Sequence, residues 1–280
     1  MIGERILLRL SRKPGTRDYP GGTLNTNVDN ALEFLCKTVP QFVERITNKT
    51  VLDFGCGWGR QSVAMALIGT KRVVGVDIQA LDKARELARE HQCEGKLTFV
   101  HQIPPETRGT FDVVLSCSSF EHFEDPVGVL RQMCEAAKPG GSVIISFAEP
   151  WYSPHGSHMN FFTKLPYVNL LFFEEAVMKV RSNFRQDGAL RYEDVEGGLN
   201  RMTVAKFERI IQGSGMQMDF FRCYPVKGMP WVERLPVLRE LLVASVACVL
   251  RNVPQASETS RTGPREPATR SAGSRRKGGE

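Results

Sequence analysis

Five short runs rich in β-branched and aliphatic residues, each set off by a helical pattern or a turn, constrain this 280-residue chain more than any other feature. They are VLDFG (51–55), RVVGVD (72–77), LTFVH (97–101), FDVVLS (111–116) and SVIISFA (142–148). Helical patterns fall between them at about 60–68, 80–91 and 126–137. The last opens on Pro126, whose missing N–H is no loss in a first turn. Short apolar runs alternating with helices are the pattern of parallel strands buried on both faces. MQMDFFRCY (216–224) and LLVASVACVL (241–250) read as a final antiparallel pair, although the second reads equally well as helix. The expected fold is therefore α/β, a doubly wound, mostly parallel sheet of seven strands.

The rhythm breaks at 149–200, an aromatic and Pro-containing stretch, and resumes with a helix at 203–215 closed by glycines. One domain is expected over 25–254, with 149–200 inserted after the fifth strand as a cover. Residues 1–24 read as an amino-terminal flank and 255–280 as a basic tail. The hydrophobic fraction of 41% is enough for a sizeable core. The net charge of +6 suggests nucleic acid until it is located, because half of it lies from residue 255 onward. That segment has no aromatic or branched aliphatic side chain, so it is expected to be disordered and solvated. Nucleic-acid binding is accordingly not expected.

Seven cysteines, odd in number and without a C-x-x-C pair, suggest neither a disulfide framework nor a zinc site. A reducing, cytoplasmic setting is the simplest expectation. MIGERILLRLSRKPG begins with basic residues around a short apolar patch, too short for an export signal. Leu241–Leu250 is half the length of a helical membrane span, which needs about 20 residues.

Asp53-Phe-Gly-Cys-Gly-Trp-Gly59 follows the first strand and opens a helix. Glycines there allow a tight turn and let a ligand lie against bare backbone, beside N–H groups expected to point outward unpaired. Asp77 ends the second strand 22 residues beyond Gly55, the spacing at which an acid meets ribose hydroxyls in nucleotide-binding α/β folds. An adenosine-bearing ligand is expected at the carboxyl ends of these strands. The spacing is G-x-G-x-G rather than G-x-G-x-x-G, and Asp53 precedes it. An acid repels a pyrophosphate and attracts an ammonium group, which points away from NAD and toward S-adenosylmethionine.

VLDFGCGWGR, VVGVDIQ, FDVVLSCSSFEHFEDP and KPGGSVIIS, in this order, resemble the class I S-adenosylmethionine-dependent methyltransferases of Rossmann-like fold. The likeness covers about residues 45–150 and is closest to the small-molecule branch that includes ubiquinone- and menaquinone-pathway members. It implies S-adenosyl-L-methionine as cofactor and a small-molecule methyl acceptor undergoing O-, C- or N-methylation. It also implies that Asp53, Gly55, Cys56 and Gly57 hold the methionine end, Asp77 the ribose and Ile78 the adenine, with Gly59 counted among the cofactor-binding residues. The acid often found after the third strand is replaced by His101-Gln102-Ile103, leaving the backbone of Gln102 for adenine. Ser116 ends the fourth strand, where the family places a residue near the sulfonium. The alternative is a protein that binds the cofactor without catalysis, as a scaffold or activating subunit.

Methyl transfer from a sulfonium needs positioning, dryness and, for some acceptors, a base. Candidate bases are His122, which follows the fourth strand, and His155 and His158 in the cover. H-x-x-H without a carboxylate or cysteine at ligand spacing does not suggest a metal. Trp151, Tyr152, Phe161, Phe162, Tyr167, Phe172 and Phe173 read either as a small second core or as a pocket for an apolar or ring-containing acceptor. The acceptor itself and the oligomeric state are not legible.

Overall fold

The computed structural model describes residues 2–16, 27–79, 81–195, 197–226, 229, 231–232 and 235–253. The basic tail expected at 255–280 lies outside the described residues.

Seven strands form one sheet: β1 (Thr50–Phe54), β2 (Arg72–Val76), β3 (Leu97–Val100), β4 (Phe111–Cys117), β5 (Ala137–Ala148), β6 (Gln217–Pro225) and β7 (Val243–Arg251). Their order is β3-β2-β1-β4-β5-β7-β6, with β7 antiparallel to both neighbours and the other pairings parallel. Side chains alternate across a strand, so Val51 and Leu52 of β1 enter opposite cores. One face packs on α2 (Glu33–Thr38), α3 (Phe42–Ile46), α4 (Arg60–Leu67) and α5 (Asp82–Glu90). The other packs on α6 (Pro126–Ala136) and α9 (Val204–Gln212).

The strand order reverses direction between β1 and β4, and a crevice opens there beyond the strand ends, where such sheets bind ligands. Thr38 and Tyr224 tie the far side down, through Thr38 Oγ1 to Ser146 Oγ at 3.0 Å and Tyr224 Oη to the Thr38 carbonyl at 2.5 Å.

The cover is a third core of its own. Leu7, Met159, Phe162, Val168, Val177, Val180 and Tyr192 are buried together, with Trp151, Phe161 and Phe172 packed against them. It includes α7 (Val168–Leu171) and α8 (Glu174–Arg181), and also α1 (Ile2–Arg9), which packs along α8. Of the expected flank at 1–24, the described residues 2–16 pack against the cover. Leu7 is fully buried, Arg12 donates from Nε to the Phe161 carbonyl, and Ser11 bridges to Thr163. The remaining helix, α10 (Pro236–Leu242), leads directly into β7. Among the described residues no helix is long and apolar enough to cross a membrane.

Candidate functional site

A cleft of about 1850 Å³ lies over the crevice, bounded on one side by the glycine turn and β2, and on the other by the β4 loop and the cover. One small-molecule pocket typically occupies about 300–1,000 Å³, so this space can take two ligands.

The glycine turn does not present the row of free N–H groups expected of it. Gly55 and Cys56 both donate to the Val76 carbonyl, at 2.8 and 3.1 Å. Gly59 donates to the Cys56 carbonyl at 2.9 Å, and Gly57 to Asp77 Oδ2 at 2.7 Å. What faces the cleft is bare backbone. A Cβ built on Gly57 meets nothing within 4 Å, whereas one on Gly59 would stand 2.7 Å from Phe99 and 2.9 Å from Ala84. The two glycines therefore serve different ends, open surface and close helix packing.

Two carboxylates lie behind that surface. Asp77 also accepts the Gln79 N–H at 2.9 Å, and a carboxylate has about four acceptor positions, so two remain for a diol. Asp53 is fully buried, accepts from Ser62 Oγ, and among the described residues has no partner for Oδ1. Burial, with a contribution from the charge on Asp77, pushes its carboxyl up to about 6. Asp53 does not line the cleft; it acts from beneath the turn. Burial and both acids push the Cys56 thiol up, so this cysteine stays a neutral thiol under the turn. The side chain of Ile78 is 93% exposed at the cleft wall, an apolar surface with nothing over it. Gln102 is on the same wall, and His101 donates from Nδ1 to the Asp77 carbonyl at 3.0 Å.

Ser116 is not in the cleft. Strand β4 runs one residue further than the sequence suggests, so Ser116 is paired with Ile145 in the sheet and fully buried, its hydroxyl without a partner. Cys117, Ser118 and Ser119 line the cleft instead, with Ser118 in a left-handed conformation at φ 52°.

On the acceptor side His122 lines the cleft, and its Nδ1 donates to the Gly198 carbonyl at 2.6 Å. A carbonyl only accepts, so in the neutral ring Nε2 carries the lone pair. That atom is 3.9 Å from Oε1 of Glu121, a buried residue whose Oε2 has no partner. His158 also lines the cleft, but burial and the neighbouring His122 pull its imidazole down to about 3. His155 is not brought to the cleft.

Glu149, which the sequence did not mark, follows β5 directly at φ 56°. Its Oε2 is 3.8 Å from His158 Nε2, and burial together with Glu121 pushes its carboxyl up to about 7. Two acids and two imidazoles thus share one cluster, with Glu121 buried and the other three partly exposed. The only signal for Glu149 was position, one residue past a strand end at the ligand-binding edge.

Most of the cover's aromatics are not pocket wall: Trp151, Phe161, Phe162 and Phe172 belong to its core, while Tyr152 and Phe173 face outward. Of its seven aromatics only Phe161 borders the cleft. Polar and charged groups make up much of that wall, including Arg181 and Asn200 from the cover and Lys206 from α9. Among the described residues no group of three His, Cys, Asp or Glu side chains is arranged to hold a metal.

A family model described as a methyltransferase domain matches residues 28–219. The ubiquinone biosynthesis O-methyltransferases of Bordetella pertussis and Pseudomonas paraeruginosa are 37% and 39% identical over 107 residues. Each match takes in 36% of this chain but only 43% and 45% of those proteins, less than half their length. Among solved structures, geranyl diphosphate C-methyltransferase from Streptomyces coelicolor A3(2) superposes with a TM-score of 0.51 at 14% identity, covering 81% of this chain and 76% of that one. The 4+2 cyclase SpnF gives the same TM-score and identity over 90% and 94%. At such identities the likeness is one of fold, and the cyclase shows that this fold carries more than one chemistry.

Proposed function

The chain belongs to the methyltransferase-domain family, and from that premise we propose that it transfers a methyl group from S-adenosylmethionine to a small-molecule acceptor. The observation that carries this reading is the glycine turn, in which the N–H groups of Gly55, Cys56, Gly57 and Gly59 are spent internally while two acids stand behind it. A pyrophosphate needs donors there and would meet two negative charges; a sulfonium and an ammonium group need the reverse.

The residues fit that cofactor. Gly57 would give the methionine end a surface without a side chain, with the backbone of Gly55 and Cys56 beside it, while Gly59 holds the turn against α5 and Phe99 from behind. Asp53, with its orphan oxygen, would favour the ligand's positive charge through the turn. Asp77 would accept from the ribose hydroxyls, Ile78 would lie on the adenine, and the Gln102 backbone would border its edge. The cofactor supplies an already activated methyl carbon, so the protein has to bring the acceptor into line and exclude water. His122 Nε2 is the group that would take a proton from an oxygen or nitrogen acceptor, with Glu121 close enough to stabilise the imidazolium that forms.

Calorimetry tests the reading. S-adenosylmethionine is expected to bind, and Asp77→Ala to weaken it by about 1.5–3 kcal/mol, the range for charge-assisted hydrogen bonds. Failure to bind, with NADH binding instead, would overturn it. Labelled cofactor incubated with extract from the source cell would then report the acceptor by mass. Tight binding without transfer to any acceptor would favour the scaffold alternative.

A further inference from the structure

The amino-terminal helix has two faces of opposite character. Gly3, Glu4, Leu7 and Ser11 turn inward: a Cβ on Gly3 would lie 3.5 Å from Phe172, Glu4 pairs with Lys179 at 3.1 Å, and Leu7 is fully buried. Ile2, Arg5, Ile6, Arg9 and Leu10 follow at the complementary 3–4 spacing, and all five are exposed. Leu10 still donates to the Ile6 carbonyl, so it continues the same face. The exposed fractions are 81% for Ile2, 47% for Ile6 and 51% for Leu10. A helix face turned to water is ordinarily polar; this one alternates aliphatic and cationic side chains. Among the described residues no carboxylate pairs with Arg5 or Arg9.

The apolar surface continues beyond α1. Phe172, against which Gly3 packs, is followed by Phe173, which is 85% exposed. Phe173 and Leu190, the latter 77% exposed, share a surface hollow with Glu175 and with two ion pairs, Arg191 with Glu193 and Arg201 with Glu174. Glu193 and Arg201 also border the cleft. Exposed apolar groups thus stand both on the outer face of α1 and at the start of α8, the helix it packs on, and the second group adjoins residues that border the cleft.

We propose that the outer face of α1, with Phe173 and Leu190, docks onto the surface of an anionic lipid bilayer. Aliphatic side chains in one stripe, with arginines between them, are the composition of helices that lie in a membrane interface. The stems of Arg5 and Arg9 pack beside the aliphatic groups while their guanidinium heads reach phosphates. Charge selects this occupant over a second copy of the chain. Two copies meeting through the α1 stripe would bring Arg5 and Arg9 of each together, and none of the stripe's five residues is a carboxylate to offset them. Docking in this way holds the acceptor side of the cleft beside the headgroups, within reach of an amphiphilic acceptor. The docking itself does not depend on the methyl-transfer reading.

The test is co-sedimentation of the full chain with vesicles of phosphatidylcholine alone and of phosphatidylcholine with phosphatidylglycerol. The chain is expected to partition onto the anionic vesicles, less so as salt is raised. Ile6→Asp and Phe173→Asp are each expected to reduce partition at least about tenfold. Arg5→Gln and Arg9→Gln should each reduce it about fivefold, on anionic vesicles only. All four side chains are exposed, so melting temperature and S-adenosylmethionine affinity should stay at wild-type values, which separates loss of docking from loss of fold or cofactor. A wild-type chain left in the supernatant, or Ile6→Asp binding as well as wild type, would overturn the proposal. A concentration-dependent dimer abolished by Ile6→Asp would overturn it too, assigning the face to a second copy.

Discussion

The imidazole rings of His122 and His158 meet edge to face at 5.3 Å, and their surroundings give them different capacities. Burial and the neighbouring His122 pull the His158 imidazole down to about 3, so near neutral pH it is uncharged. His122 keeps Nδ1 occupied by Gly198 and leaves Nε2 toward the cleft and the Glu121 carboxyl. His122→Asn is therefore expected to cut turnover by about 10²–10⁴-fold with cofactor affinity unchanged. His155→Asn should leave both near wild type, because that ring is outside the cleft. Turnover measured alongside calorimetry checks both. Normal turnover in His122→Asn would leave proximity and desolvation as the sole sources of rate.

The glycines at 57 and 59 should separate binding from stability. Gly57→Ala adds a methyl in open space, and its φ of 51° costs about 1–2 kcal/mol in the left-handed region. The protein should melt slightly lower yet lose most of its cofactor affinity, since the methyl stands where bare backbone meets the ligand. Gly59→Ala carries the same conformational cost and also drives a methyl into Phe99 and Ala84. A loss of about 2–5 kcal/mol is expected there. Circular-dichroism melts with calorimetry on each variant measure the split.

The strands were legible because a buried parallel strand is an unbroken apolar run, and the turn and Asp77 because glycine and an acid at strand ends have few other uses. The run at 241–250 stayed ambiguous for the same reason. A segment buried on both faces carries no alternation, and the structure divides it into the end of α10 and the strand β7. Ser116 shows how far one residue matters, since a strand that ends at Cys117 turns the next side chain, not Ser116, toward the ligand edge. Glu149 left no pattern at all; its character comes from burial beside Glu121 and His158, partners scattered along the chain. The place of α1 was equally hidden, because its partners in α8 are about 170 residues away and an eight-residue amphipathic stretch alone is marginal as helix.

That placement has a measurable consequence. Leu7 is fully buried against the cover, so Leu7→Ala should cost about 2–5 kcal/mol by chemical denaturation. The cofactor-binding side is built from other cores, so any affinity change should be small. A Leu7→Ala variant as stable as wild type would return residues 1–24 to the status of a flank.

Asp53 links cofactor affinity to pH. Its carboxyl is raised to about 6 by burial, with Asp77 adding to the shift. A bound cation favours the ionised form, so binding S-adenosylmethionine should release a proton from Asp53 when the pH is below about 6. Affinity is then expected to fall as pH drops through that value, and to be flat above it. Asp53→Asn should remove this dependence and bind at the weakened level throughout. Glu149 acts on stability in a separate window. Its folded-state value of about 7 lies above the ordinary 4.5, so the folded protein holds a proton that the unfolded chain gives up. The stabilisation from that proton is fully present below about 4.5 and is lost as pH rises through about 7. Glu149→Gln keeps a neutral side chain at every pH, so its stability relative to wild type should rise across that interval. Melting temperatures of both proteins at pH values on either side of it, without ligand, measure the difference. Parallel curves would mean that Glu149 ionises freely and is not held in the cluster with His158.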